Sequence, residues 1–126
     1  MLGTAYPLPK YLPPNNDCSP LLEEVKPILR DADVTFGNLE GCFLNNGPTT
    51  KNCKDTLKCY AFRMPDKYVN CLVDAGFTVM SLANNHSGDF GMKARKNTMH
   101  LLDSVGIEYG GLEIKPTAEF MIESIK

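Results

Sequence analysis

The feature that most constrains the fold is an almost continuous apolar run that ends abruptly in polar residues. Residues 77–82 read Phe-Thr-Val-Met-Ser-Leu, and residues 83–89 read Ala-Asn-Asn-His-Ser-Gly-Asp. Such a run is typical of a strand buried on both faces of a parallel sheet. A second β-prone run, residues 33–36, stops at a comparable polar stretch, Gly-Asn-Leu-Glu-Gly at residues 37–41.

Helical patterns alternate with these strands. A serine and a proline at positions 19 and 20 predict a helix that runs to Arg30, with Pro27 bending it or ending its regular part. Pro65 opens a second helix that Gly76 ends. A third helix is predicted over about residues 90–105, stopped by Gly106. The residues predicted to face inward on this helix are Met92, Met99, Leu102 and Val105.

The remaining segments complete an α/β pattern. Short strands are predicted at residues 107–109 and 120–125, so helices and strands alternate along the chain. This order predicts a single α/β domain with a mostly parallel sheet flanked by helices. Residues 1–18, rich in Pro and Asn, predict an extended segment, and residues 42–63 predict a long surface loop with a short strand near residues 60–63.

Composition excludes several classes of function. The net charge of −2, with the two signs interspersed, argues against nucleic acid or an anionic membrane surface as the main partner. No apolar run is long enough for a membrane span or a signal-peptide core. Read from its first residue, the sequence therefore predicts a cytosolic protein, unless this residue is not the biological start.

The five cysteines leave the redox state open. They are Cys18, Cys42, Cys53, Cys59 and Cys71. Cys53 and Cys59 share a polar loop and could close a small disulfide ring in an oxidising compartment, or could equally be two unpaired thiols. Cys71 lies on the apolar side of the second helix and is predicted to be a small core hydrophobe. The odd count leaves at least one free thiol.

The two polar stretches are the candidate site. Both follow a predicted strand, and the carboxyl ends of parallel strands meet at one edge of the sheet, where ligands bind. The edge would carry the amides of Asn38 and Asn85, the carboxylate of Glu40 and the imidazole of His86. Such a mixed set of oxygen and nitrogen donors suits a divalent Mn, Zn, Mg or Fe ion.

A structural explanation competes for each stretch taken alone. Ser87 or Asp89 could cap the following helix, and Glu40 could be a solvated loop residue. Together, at equivalent strand ends, the two stretches favour function. His100 lies in the middle of a helix without neighbouring ligand types and is interpreted as an exposed or partly packed residue.

These residues also carry a family resemblance. Residues 31–41 resemble the aDxxxxNLE block of the CapA (poly-γ-glutamate capsule synthesis) family, and residues 62–65 resemble its F-x-x-P element. Residues 74–91 are similar to its GFDVVSLANNHxxDxG block, and residues 101–111 resemble the helix, turn and strand that follow. The resemblance covers essentially the whole chain.

The resemblance implies a fold and a set of site residues. The family is similar to calcineurin-like metallophosphoesterases, which have a two-layered β-sandwich flanked by helices and a dinuclear metal site. The positions implied to bind metal are Asn38, Glu40 and Asn85. The positions implied to act in catalysis are His86 and Asp89, and those implied to contact substrate or support the ligands are Asn84 and Arg63.

The implied function is a metal-dependent hydrolase or transferase component in the synthesis or anchoring of capsule or poly-γ-glutamate. Its substrate would be an anionic polymer or a phosphoester, a membrane synthase complex is a further expected partner, and the full-length parent would be extracytoplasmic or membrane-associated in a bacterium. Residues 1–126 lack the Gly-Asp that precedes this region in the family and the later histidine ligands, so we expect a partial domain. The alternatives are a non-catalytic accessory or polymer-binding fragment, and a phosphoesterase unrelated to capsule.

Overall fold

The computed structural model describes residues 1–55 and 59–119. In chain order the strands are β1 (Phe36–Asn38), β2 (Cys42–Phe43), β3 (Arg63–Met64), β4 (Val79–Ser81) and β5 (Glu108–Gly110). The α-helices are α1 (Lys26–Arg30), α2 (Val69–Ala75) and α3 (Gly91–Val105). Among the described residues, no helix combines the length and apolar character that crossing a bilayer requires.

The strands form two parallel sheets. One has three strands in the order β1–β4–β5, and the other pairs β2 with β3. Helix α2 packs against α1 and α3, and α3 also contacts β2 and β5. The predicted α/β fold, a parallel sheet flanked by helices, is confirmed.

Glycines end the two longer helices where the sequence predicts. Gly76 follows α2 with a φ of 92°, and Gly106 follows α3 with a φ of 73°. Glycine adopts this left-handed conformation without the steric cost of a Cβ atom, so the backbone can turn directly into the next strand.

The first predicted helix is wrong in extent. Residues 19–21 form a single 3-10 turn, and α1 covers only Lys26–Arg30. Pro27 does not bend a longer helix but lies in the first turn of a short one. The physical reason is that proline lacks the N–H that a helix interior needs, whereas the first turn leaves that group unpaired anyway.

Two further boundaries differ from the sequence predictions. The first strand is Phe36–Asn38 rather than residues 33–36, so it continues through the predicted stop at Gly37. The predicted loop over residues 42–63 begins with the buried strand β2, which is too short to leave a periodic signal. The strand predicted at residues 120–125 lies outside the described residues.

The buried face of α3 differs from the prediction. Met92 is half exposed, while Ala94, Thr98 and Leu102 are buried. These residues follow an i, i+4 spacing, so they lie on one stripe. The small side chains let α3 approach β2, where the Thr98 hydroxyl accepts a hydrogen bond from the Phe43 N–H at 2.9 Å. Met99 and Val105 pack against the core as partly buried residues.

Two disulfides constrain the chain. Cys18 is bonded to Cys71, which joins the N-terminal segment to α2. Cys71 lies in the core as predicted, and its disulfide partner is an addition to that prediction. Cys53 is bonded to Cys59. Cys42 is a buried free thiol, and burial raises its pKa to about 12, with a smaller contribution from the nearby Asp89 carboxylate. It therefore stays protonated near neutral pH.

We expect the Cys18–Cys71 bridge to stabilise the fold more than the Cys53–Cys59 bridge. The first closes a separation of 53 residues and the second one of 6. The chain-entropy relation gives about 4 kcal/mol for the long loop and about 2 kcal/mol for the short one. Urea unfolding of the double variants Cys18→Ala/Cys71→Ala and Cys53→Ala/Cys59→Ala measures both values. Equal losses, or a larger loss for the short loop, would contradict this ranking.

Candidate active site

Strand pairing brings the two polar stretches to one edge of the sheet. Strands β1 and β4 are parallel, with Asn38 opposite Ser81. The contact continues past the last pair, since the Leu39 N–H donates to the Ser81 carbonyl at 3.0 Å. The turn after β1 and the turn after β4 therefore leave the sheet side by side.

Asn84 links these two turns. Its side-chain Nδ2 donates to the Asn38 Oδ1 at 3.3 Å and to the Leu39 carbonyl at 3.0 Å. Its Oδ1 accepts a hydrogen bond from the backbone N–H of His86 at 3.1 Å. The Asn84 side chain thus fixes the position of His86 relative to the end of β1, so Asn84 supports His86.

The His86 imidazole is buried and held on two sides. Its Nδ1 lies 2.8 Å from the Asp89 Oδ2, and its ring centroid lies 4.2 Å from that of Phe62. Asp89 already accepts hydrogen bonds as a carboxylate, so the Nδ1–H of His86 donates a hydrogen bond to it. The lone pair of the neutral ring is then on Nε2, which faces the Glu40 Oε1 at 3.9 Å.

Asp89 is almost fully buried, at 3% exposure, and the described part of the chain supplies three donors to it. Besides His86, these are the Phe62 backbone N–H at 2.9 Å and the Lys51 Nζ at 3.0 Å. A buried carboxylate is costly unless it is paired and hydrogen-bonded. These contacts therefore stabilise the charge that orients His86.

Sequence reasoning missed Lys51. This residue lies in an aperiodic polar loop, where a lone lysine carries no pattern that points to a partner. In the structure its Nζ bridges the Asp89 Oδ1 and the Tyr60 carbonyl, the latter at 2.8 Å. The Cys53–Cys59 disulfide closes the same loop between Lys51 and Tyr60. Lys51 thus supports the imidazole through Asp89.

The backbone of Gly41 lies close to that of Phe62 and helps to position Phe62, whose ring contacts His86. Gly41 has a φ of 98°, and a Cβ atom there would lie 3.0 Å from the Phe62 carbonyl oxygen. Only glycine fits both the conformation and the space. The end of the first polar stretch therefore packs directly on the segment that contacts His86.

The other two implied site residues lie outside these contacts. Asn85 is exposed at the surface of its turn. Arg63 donates from its guanidinium to the Gly47 carbonyl at 2.7 Å, and this group lies over the rings of Phe90 and Tyr6 at 5.4 and 5.9 Å. Gly47, Phe90 and Tyr6 are not among the residues that hold His86. Arg63 therefore supports the loop around Gly47.

The types of donor atom at this edge of the sheet fit a divalent cation, but the described residues supply too few of them to surround one. Glu40 supplies a carboxylate oxygen, and the exposed Asn38 and Asn85 supply amide oxygens, which suit Mn, Zn, Mg or Fe. Within residues 1–55 and 59–119, no three His, Cys, Asp or Glu side chains converge as a metal site.

The chain is similar in sequence to bacterial capsule synthesis proteins. A sequence model of the family described as "Bacterial capsule synthesis protein PGA_cap" matches residues 4–126. The capsule biosynthesis protein CapA of Bacillus anthracis is 32% identical over 91 residues, which cover 72% of this chain and 22% of that protein.

Two further relatives are similar over a comparable length. The PGA biosynthesis protein CapA of Bacillus subtilis is 34% identical over 96 residues, covering 71% of this chain and 24% of that protein. The uncharacterized protein y4sH of Sinorhizobium fredii is 34% identical over 101 residues, covering 77% of this chain and 21% of that protein. The chain therefore spans about a fifth to a quarter of the length of these relatives.

We expect Lys51→Met to lower the free energy of unfolding by about 1–3 kcal/mol, because it removes a charged donor from a buried carboxylate. Lys51→Arg keeps a donor and should recover part of this loss. Lys96→Met changes an exposed lysine of α3 and is the matched control. Urea unfolding measures all three variants. A Lys51→Met protein as stable as the Lys96→Met protein would contradict the supporting role.

Proposed function

The chain belongs to the bacterial capsule synthesis protein PGA_cap family, and we propose that it carries part of the active site of a metal-dependent hydrolase or transferase. This component would act in the synthesis or anchoring of capsule or poly-γ-glutamate. The observation that carries the proposal is the buried Asp89–His86 pair, whose free ring nitrogen faces Glu40 at the carboxyl edge of the parallel sheet.

His86 is proposed to act as the general acid and base. Asp89 holds the proton on Nδ1 and stabilises the imidazolium that forms when Nε2 accepts a proton. Nε2 would take that proton from an attacking water or nucleophile and return it to the leaving group. Lys51 and the Phe62 N–H keep the Asp89 carboxylate in position throughout, so the imidazole does not have to reorient.

Glu40, with the amide oxygens of Asn38 and Asn85, is proposed to hold a divalent cation, of which Mn, Zn, Mg and Fe fit the donors. When bound, such an ion supplies Lewis acidity and lowers the pKa of bound water. Because the described residues give a partial ligand set, the remaining ligands would come from elsewhere in a longer protein, as the length of the relatives allows.

An anionic polymer or a phosphoester is the proposed substrate, with a membrane synthase complex as a proposed partner. The names of two relatives, a capsule biosynthesis protein and a PGA biosynthesis protein, support a polymer substrate. The two disulfides support an oxidising, extracytoplasmic location for the protein.

In a protein that contains this chain and has the length of the relatives, we expect His86→Asn to reduce Mn²⁺-dependent hydrolysis of a phosphoester by about 10²- to 10⁴-fold, the usual contribution of a general acid or base. Asparagine can still donate to Asp89 but has no ring nitrogen to exchange a proton. His100→Asn, at the exposed histidine of α3, is the matched control. Circular dichroism verifies the fold of both variants. Full activity in His86→Asn would refute its catalytic role.

The second candidate is a non-catalytic accessory that binds polymer. It is favoured by the absence, among the described residues, of three convergent acidic, histidine or cysteine ligands. Both candidates predict a stable fold, so metal binding separates them.

Calorimetric titration with Mn²⁺ and Zn²⁺ of a protein that contains this chain and has the length of the relatives distinguishes the two candidates. For the enzyme we expect micromolar binding that is lost in Asn85→Ala and in Glu40→Gln. Glu24→Gln, which changes an exposed carboxylate of the N-terminal half, should bind as the unmodified protein does. Absence of binding in the unmodified protein would favour the accessory.

A further inference from the structure

Arg95 on α3 is a partly buried cation to which the described chain offers no acceptor. Five basic side chains are partly buried in residues 1–55 and 59–119: Lys26, Lys51, Arg63, Arg95 and Lys115. Each of the three lysines is paired with a carboxylate, and Arg63 donates to a backbone carbonyl. Within the same residues Arg95 has no hydrogen bond or ion pair, and its Nε is buried.

A guanidinium without an acceptor is costly to bury. Arginine stays protonated at every physiological pH, so it cannot lower this cost by losing its proton. Buried polar groups in native proteins are nearly always hydrogen-bonded, and a buried charge needs a counter-charge. The acceptor of Arg95 is therefore expected to come from outside the described residues.

The guanidinium lies against the turn that carries His86 and Asp89. A Cβ atom at Gly88 would lie 2.8 Å from the Arg95 Nη2, 3.4 Å from its Cζ and 3.6 Å from its Nε. The absence of a side chain at Gly88 thus leaves room for the guanidinium. Because Gly88 lies between His86 and Asp89 in the sequence, an acceptor bound by Arg95 would lie close to the candidate active site.

Arg95 also lies at the carboxyl edge of the three-stranded sheet. It lines a small cavity together with residues that follow all three strands, namely Gly41 after β1, Ser87 after β4 and Leu112 after β5. Ligands of open α/β sheets bind at this edge. The cavity of about 10 Å³ has room for one water at most, so a ligand would reach the guanidinium from its solvent-exposed side.

We propose that Arg95 binds an oxyanion, a phosphate or a carboxylate group, next to the turn that carries His86. The planar fork of N–H donors matches both groups and can bond two of their oxygens at once. A neutral ligand could accept a hydrogen bond but would leave the charge of the guanidinium uncompensated. The charge of Arg95 therefore selects the class of ligand.

Within the proposed function, this oxyanion belongs to the substrate. Both proposed substrate classes carry one, as the phosphate of a phosphoester or as the carboxylates of an anionic polymer such as poly-γ-glutamate. Arg95 would hold the substrate beside His86 and would thereby favour anionic substrates over neutral ones. This role rests on the proposed function, whereas binding of the anion does not.

Calorimetric titration with inorganic phosphate and with tetra-γ-glutamate tests the proposal in a metal-free protein that contains this chain and has the length of the relatives. We expect at least one anion to bind, about 10- to 100-fold more weakly in Arg95→Gln, as the loss of hydrogen bonds from a charged donor predicts. Arg95→Lys keeps the charge and should recover part of the affinity. Lys96→Gln removes an exposed charge from the next residue of α3 and should leave binding unchanged. The anion that binds more tightly identifies the source, a phosphoester or a carboxylate polymer.

Three outcomes would overturn the proposal: no binding of either anion, unchanged binding in Arg95→Gln, or an equal loss in Lys96→Gln, which would indicate general attraction by positive charge. The first two are also expected if a carboxylate elsewhere in the longer protein pairs with Arg95. Mn²⁺ titration separates this proposal from the proposed function, since Arg95→Gln should bind Mn²⁺ as the unmodified protein does. Anion binding that depends on Arg95, without Mn²⁺ binding, would contradict only the proposed metal site. Mn²⁺ binding without such anion binding would contradict only the role of Arg95.

Discussion

The buried carboxylate of Asp89 joins three parts of the chain that are distant in sequence. It receives hydrogen bonds from His86 in the turn after β4, from Lys51 in the long loop and from the backbone of Phe62 beside β3. Without these donors the charge would be too costly to bury, and without the charge the donors would have no common partner. The loop, the turn and the imidazole therefore adopt their arrangement together.

The parallel pairing of β1 and β4 places the turn that carries His86 beside the end of β1. Because β1 and β4 end in register, Asn84 can reach across to Asn38 and fix the turn that carries His86. The backbone provides the approximate placement, and side-chain hydrogen bonds provide the final geometry. The strand ends thus carry the turns in which the candidate site lies.

The fold class and the meeting of the two polar stretches at one edge of the sheet could be predicted from the sequence, because both depend on local signals. The apolar run ending at Leu82, and the glycines at 76 and 106, determine where strands and helices end. Partners distant in sequence left no such signal. No pattern along the sequence indicates the Cys18–Cys71 bond or the pairing of Lys51 with Asp89. The prediction that Met92 faces inward is wrong, because hydrophobic spacing does not show that small residues such as Ala94 let α3 pack closely on β2.

The Cys18–Cys71 bond has a consequence for the integrity of the molecule. It links the N-terminal segment to α2 across most of the first half of the chain, a stretch that includes the long loop. A protease that cuts once within this stretch would leave both pieces covalently attached, and the buried core would still hold them in place. Outside a cell, where proteases act on exposed loops, the chain could thus be nicked without being lost.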